Sequence, residues 1–142
     1  MANKFNFQLI TPDGVTFNEE VDLVTMPTEN GEMGVMANHL PLVTILIPGP
    51  LEIRQGSSLK LLSTGGGFAE ITAKEVKVYA QTAEFADSID EKRAIEARER
   101  ALELTQEQVD EMKFTDAKAL LERNIARLKT IERKKKRSHR YN

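Results

Sequence analysis

The sequence predicts an all-β segment followed by an α-helical one, with the change at Ser88. Three observations carry this. Before Ser88 the chain runs as short apolar–polar alternations broken by Gly- and Pro-containing turns. After Ser88 there is no Gly or Pro at all. That second part is dominated by Ala, Leu, Glu, Lys and Arg, all good helix formers. The expected units are residues 1–87 and residues 88–142.

The elements follow in order. Phe5, Phe7 and Leu9 alternate with Asn6 and Gln8, the pattern of a half-buried strand. Pro12-Asp13-Gly14 is a turn, after which Val15 and Phe17 resume the alternation. Val21 to Met26 reads as the next strand, stopped by Pro27. Asn30-Gly31 is a tight-turn pair inside the polar stretch Thr28 to Gly34. Val35-Met36, Leu42 to Ile47, Leu51 to Ile53, Leu59 to Ser63, Phe68 to Thr72 and Val76 to Ala80 read as further short strands. Turn signals at roughly 8–12-residue spacing indicate a sandwich or barrel. No internal repeat is visible.

Ser88 and Glu91 have the spacing of a capping box, in which each side chain answers the other's free backbone N–H. Ala94, Ala97, Ala101 and Leu104 then form one narrow apolar stripe. The polar stretch Thr105 to Lys113 reads as a linker. Ala117, Leu121, Leu128 and Ile131 form the stripe of a second helix, expected to pair with the first as an antiparallel hairpin. Alanine buries little area, at about 25 cal/mol per Å². Such a hairpin needs the β domain, a ligand or a partner to hold it, which makes it a two-state element.

Composition excludes several functions. Apolar residues make up 40% and charged residues 30% of the 142-residue chain, the balance of a globular protein. A formal net charge of −2 exerts no general pull towards nucleic acid or membrane. The basic residues are concentrated near the end, in Arg133, Lys134, Lys135, Lys136, Arg137 and Arg140. Without cysteine there is no disulfide framework and no thiolate metal site. The longest apolar run, Leu40 to Leu51, is interrupted by Pro41, Pro48, Gly49 and Pro50 and is too short to span a bilayer. Met1-Ala2-Asn3-Lys4 opens no signal-peptide core. The expectation is a soluble chain that reaches a membrane only through partners. The lack of a transit segment favours a prokaryotic or organelle-encoded protein.

Two arginine pairs are candidates for binding. At about 100° per residue, Arg93 and Arg100 share a flank of the first helix, and Arg123 and Arg127 share a flank of the second. If the hairpin closes with those flanks adjacent, four guanidinium groups converge. The planar, permanently charged fork of arginine suits phosphate. Asp90 lies near the same stripe, where a carboxylate suits a ribose hydroxyl or an adenine amino group. Simpler roles compete: Asp90 complements the helix dipole, and Glu96 and Glu103 are placed to pair with Arg100 on the surface. Gly65-Gly66-Gly67 lacks the Gly-Lys-Ser/Thr ending of a phosphate loop and reads as a turn or bulge. His39 and His139 are too far apart in kind and context for a histidine metal site. No triad or carboxylate pair is visible, so no catalytic apparatus is expected. The basic end suits a helix dipole, an acidic protein surface or nucleic acid. For the last, only Tyr141 is available to stack on bases.

Three motifs together resemble the epsilon subunit of the bacterial-type F-type ATP synthase. They are the run Gly31-Glu32-Met33-Gly34-Val35-Met36-Ala37-Asn38-His39-Leu40-Pro41-Leu42, the run Gly66-Gly67-Phe68-Ala69-Glu70, and the turn Thr11-Pro12-Asp13-Gly14. The resemblance runs from about Phe5 through the second helix. It implies a flattened two-sheet β-sandwich followed by an antiparallel helical hairpin. It also implies a non-catalytic subunit of the rotating central stalk, bound to the gamma subunit and the c-ring. The complex would couple proton translocation to ATP synthesis and sit at the inner face of the plasma membrane, the chain itself being cytoplasmic and peripheral.

By the same resemblance, Glu32 and His39 lie at the c-ring interface. When the helices extend along gamma they reach the alpha and beta catalytic subunits and inhibit ATP hydrolysis. Arg133, Lys134, Lys135, Lys136 and Arg137 would then face an acidic segment of beta. Some family members bind ATP through an Ile/Leu-Asp-x-x-Arg-Ala motif, which Ile89-Asp90-Glu91-Lys92-Arg93-Ala94 matches. The implied ATP site is Glu84, Ile89, Asp90, Arg93, Ala94, Arg100, Arg123 and Arg127. ATP is expected as a regulatory ligand, with no required cofactor and no metal. The alternative is a free-standing nucleotide-sensing module, which would not co-purify with gamma.

Overall fold

The computed structural model describes residues 3–107 and 110–140, with residue 140 described in backbone only; Tyr141 lies outside them. Eight strands precede two helices: β1 (Phe5–Thr11), β2 (Gly14–Val21), β3 (Leu23–Thr28), β4 (Gly31–Val35), β5 (Leu42–Gln55), β6 (Ser58–Ile71), β7 (Glu75–Ala80) and β8 (Ala83–Phe85). A 3-10 turn over Ala86–Ser88 leads to α1 (Glu91–Gln106) and α2 (Glu111–Arg140).

The strands join in one hydrogen-bonded path, β2-β1-β7-β6-β5-β3-β4, with β8 added on β6. The path folds over itself because β5 and β6, each of 14 residues, take part in both layers. The C-terminal end of β6 pairs with β7, while the C-terminal half of β5 pairs with β3. Phe7, Leu9, Val76 and Val78 from one layer share a core with Val24, Met26, Leu51, Ile53 and Leu62 from the other, all fully buried. This is the expected sandwich.

Several strand boundaries differ from the sequence reading. Pro27 does not stop a strand but sits within β3, opposite Glu32 of β4. On its other side the β3–β5 ladder shifts register between Thr25 and Thr28, so the missing proline N–H is not demanded there. Val15 is exposed although Phe17 is buried. Phe17 pairs with Leu9 and Val15 with Ile10, leaving Thr16 unpaired in a bulge that reverses the alternation.

The pairs of runs expected to end at Pro48 and at Gly65-Gly66-Gly67 each fuse into one strand. Pro48, Gly49 and Pro50 lie opposite Gly65, Thr64 and Ser63 in a single ladder. The glycines make this possible. Gly67 has φ +149° and a side-chain carbon there would overlap the Tyr79 carbonyl. Neighbouring Gly66 accepts from the Gln81 N–H at 2.9 Å.

The helices differ in detail too. Ser88 belongs to the 3-10 turn and caps no helix. Asp90 is the N-cap of α1: its backbone is extended and its Oδ1 accepts from the Arg93 N–H at 3.1 Å. The capping signal is therefore Asp90-x-x-Arg93, two residues later than Ser88-x-x-Glu91. α1 continues through Thr105 and Gln106, and α2 starts at Glu111, where Asp110 Oδ1 accepts from the Lys113 N–H at 2.8 Å. Most of the stretch read as a linker is thus helix. Gln108 and Val109 of that stretch lie outside the described residues.

The hairpin is antiparallel, since Lys135 near the end of α2 meets Glu91 at the start of α1. Ala94 and Ala101 are buried as expected, but Leu104 is exposed. On α2, Ala117 and Ile131 are buried, together with Asn124, Ala126 and Thr130. The second helix packs on α1 and also on β5 and β6, so the hairpin lies folded against the sandwich.

Three substitutions test these points by chemical denaturation and amide exchange. Gly67→Ala is expected to cost about 2 kcal/mol or more, from strained backbone and the Tyr79 overlap. Asp90→Ala is expected to weaken α1 by about 1 kcal/mol, with amide exchange faster in its first turn. Ser88→Ala should leave that turn unchanged, and the reverse ranking would refute the cap assignment.

Candidate functional site

The principal candidate is a cleft of about 450 Å³ where the sandwich meets the two helices. Pairing of β8 with β6 places Ser63 opposite Glu84 and fixes Glu84 at the cleft's edge. The 3-10 turn then carries the chain through Ser88 and Ile89 to Asp90, and α1 contributes Arg93, Ala94, Glu96, Ala97 and Arg100. Asn124 and Arg127 come from α2.

Arg127 is held by two acceptors. Its Nε donates to Glu84 Oε2 at 2.8 Å, and its Nη1 donates to Asn124 Oδ1 at 3.0 Å. Asn124 is fully buried and donates its Nδ2 to the Leu120 carbonyl at 2.8 Å, which fixes the orientation of its oxygen. Arg93 is different. Its side chain is 86% exposed, and its Nε lies 3.6 Å from Asp90 Oδ2. Arg100 makes no ion pair among the described residues. Two guanidinium groups on one helix, two turns and about 10.5 Å apart along the axis, therefore face a cleft whose third arginine is already oriented. This arrangement suits an extended polyanion.

Of the eight residues expected at an ATP site, seven line this cleft: Glu84, Ile89, Asp90, Arg93, Ala94, Arg100 and Arg127. Arg123 does not. Its Nε points to the Ala119 carbonyl at 3.4 Å, and it borders a separate groove with Pro48, Gly65 and Gln81. Three arginines gather where four were expected, and joining them would require a rotamer change of Arg123. Asn124 was missed. Its signal was a polar residue at an apolar-stripe position, four before Leu128 and three after Leu121.

The other expected site residues are also placed. Glu32 is on β4, and His39 is in the following loop with its Nδ1 2.7 Å from the Leu40 carbonyl. Asn38, at φ 65°, turns that loop and donates its N–H to the Ala73 carbonyl. Around the loop and along β5, Met36, Leu40, Leu42, Val43, Ile45 and Ile47 are exposed. Ile45 is opposite Phe68, which stacks on Tyr79 at 4.8 Å, extending this apolar row across the sheet.

Each basic residue from Arg133 to Arg137 makes an ion pair within the chain. Lys134 pairs with Asp87, Lys135 with Glu91 at 3.0 Å, and Lys136 with Glu132 at 3.2 Å. Arg137 Nη2 meets Glu52 at 2.7 Å, while Arg133 bridges Glu52 at 3.2 Å and Glu32 at 2.6 Å. Burial opposes the charge on Arg133. Hydrogen bonding and attraction from Glu32, with Glu52 adding to both, outweigh it and hold its pKa above the ordinary value. Glu52 was also missed; its only signal was a carboxylate between two core residues, Leu51 and Ile53. No helix among the described residues is long and apolar enough to cross a membrane.

Comparison with known proteins gives the family. Residues 4–86 match the beta-sandwich domain of the ATP synthase delta/epsilon chain, and residues 87–132 match its long alpha-helix domain. The ATP synthase epsilon chain of Syntrophobacter fumaroxidans is 40% identical over 133 residues, covering 94% of this chain and 99% of that one. That of Desulforamulus reducens is 37% identical, covering 93% and 100%. A chain in the structure of the Euglena gracilis mitochondrial ATP synthase with its c-ring aligns with TM-score 0.74 and 30% identity, over 84% of this chain and 76% of that one. A chain from the central stalk and c-ring of the Tetrahymena thermophila enzyme shares the fold, with TM-score 0.60, 18% identity and coverage of 91% and 97%. With both segments matched and bacterial relatives aligned over nearly their full length, the chain belongs to the ATP synthase epsilon-chain family.

Proposed function

We propose that this chain is a central-stalk subunit of a rotary ATP synthase, and that ATP bound at the hairpin cleft holds its helices folded. The observation that carries the reading is the cleft itself. It gathers Asp90, Arg93, Arg100 and Arg127 from both helices, with Glu84 of the sandwich, and does so in the folded hairpin. A ligand that touches β8, α1 and α2 together binds the folded form alone. Its stabilisation grows as RT ln(1 + [L]/Kd), about 2.7 kcal/mol at a hundredfold excess.

In this mechanism the triphosphate lies along Arg93 and Arg100, with Arg127 presented by Glu84 and Asn124. Asp90 accepts from the nucleoside while remaining the helix cap. When ATP is scarce the hairpin opens, extends beside gamma, and blocks ATP hydrolysis by the alpha and beta subunits. The exposed apolar row through Val43, Ile45 and Phe68 supports protein docking on the sandwich. In the proposed assembly it faces gamma, and the loop with His39 and Glu32 faces the c-ring. The subunit itself carries out no catalysis and stays peripheral to the membrane.

Titration calorimetry of the full chain is expected to give saturable ATP binding. Arg93→Ala or Arg100→Ala removes charge-assisted hydrogen bonds of about 1.5–3 kcal/mol and should weaken binding roughly tenfold or more. No heat at millimolar ATP, or unchanged affinity in both variants, refutes the site. In the assembled complex, deleting residues 88–142 should raise ATP hydrolysis. Unchanged hydrolysis would overturn the inhibitory role while leaving the nucleotide site open to its own test.

A further inference from the structure

We propose that Arg133 and Arg137 form a latch that holds α2 on the sandwich without nucleotide, with Glu52 as its anchor. The inference rests on the two-state hairpin proposed above but not on ATP. Glu52 is 8% exposed, a carboxylate on β5 between fully buried Leu51 and Ile53. Arg137 Nη2 donates to both of its oxygens, at 2.8 and 2.7 Å. Arg133 Nη1 donates to the same carboxylate at 3.2 Å, and its Nη2 meets Glu32 of β4 at 2.6 Å. Two arginines one turn apart on α2 thus grip two strands of the sandwich.

Three features make this a latch rather than ordinary surface pairing. The anchor is nearly buried beneath α2 and accepts three charge-assisted hydrogen bonds, which lifting α2 would exchange for water. Exposed pairs such as Lys136–Glu132 are screened by solvent and contribute little. The latch residues are separate from the nucleotide cleft, since neither Glu52, Arg133 nor Arg137 borders it. Arg133 and Arg137 also lie beyond the match to the family's helix domain, which ends at residue 132. The latch's second grip, on Glu32, engages the carboxylate proposed for the c-ring, so a folded hairpin and a docked ring would draw on the same side chain.

The experiment is hydrogen–deuterium exchange of the full chain without nucleotide, comparing wild type, Glu52→Gln, the Arg133→Gln/Arg137→Gln pair, and all three changes combined. Amides of α2 are expected to exchange roughly tenfold faster in each variant, with the sandwich core unchanged. The combined variant should be no faster than the arginine pair alone, because both changes break one contact. Unchanged α2 exchange in the arginine pair, or strictly additive effects, would overturn the latch. Should Glu52→Gln loosen the sandwich itself, the arginine pair, which alters only the helix, decides. Adding ATP separates the two ideas. If ATP slows α2 exchange in wild type but the variants match wild type without it, the latch fails and the nucleotide site stands. If the variants speed exchange and ATP has no effect, the reverse holds.

Discussion

The helical hairpin buries few large apolar side chains completely, with Leu120, Leu121, Ile125 and Leu128 only half-buried, and its folded state also draws on polar contacts. α1 buries only Ala94 and Ala101, and α2 buries Ala117, Asn124, Ala126, Thr130 and Ile131. At about 25 cal/mol per Å², alanine contacts return little. Small residues do let the helices approach the sheet closely enough for side chains to bond across. Polar contacts add to the attachment: Arg127 on Glu84 in the middle, and Arg133 and Arg137 on Glu52 towards the end. A helix held partly by hydrogen-bonded charges can respond to other charges.

That principle gives both ends of the hairpin a related chemistry with different controllers. In the cleft, Arg93 and Arg100 have little to neutralise them, and the proposed polyanion would fill that role. Beyond residue 132, Arg133 and Arg137 already pair with the chain's own carboxylates. Asn124 shows how a single buried polar residue serves such a site. It spends one group on its own helix and uses the other to orient Arg127, so the guanidinium is set before any ligand arrives.

The sandwich supplies the platform on which the hairpin lies. Its long β5 and β6 strands cross both layers, and the close approach of Gly67 to the Tyr79 backbone lets β6 pass there. β8 then returns along β6 and delivers Glu84 to the hairpin. The outer face of the same strands presents Val43, Ile45 and Phe68 to solvent. One hairpin of strands thus carries the core, the helix anchor and an apolar outer face.

By itself the sequence determined the order and kind of the elements. Period-two alternation in Phe5, Phe7 and Leu9, and the absence of Gly and Pro after Ser88, are local signals that need no partner. The cleft's α1 residues were legible for the same reason, since helical spacing fixes Asp90, Arg93 and Arg100 on one flank. The tertiary structure decided the rest. Pro27 and Gly65-Gly66-Gly67 look like breaks until the neighbouring strands are known, because only the ladder tells whether an N–H or a Cβ is needed. Whether Arg123 joins Arg127 depends on the rotamers chosen against the sheet. Glu52 finds Arg133 and Arg137 across 81 and 85 residues of chain, a distance over which no local pattern carries information. The sequence wrote a hairpin with charged flanks; where those charges land depends on the sandwich it folds against.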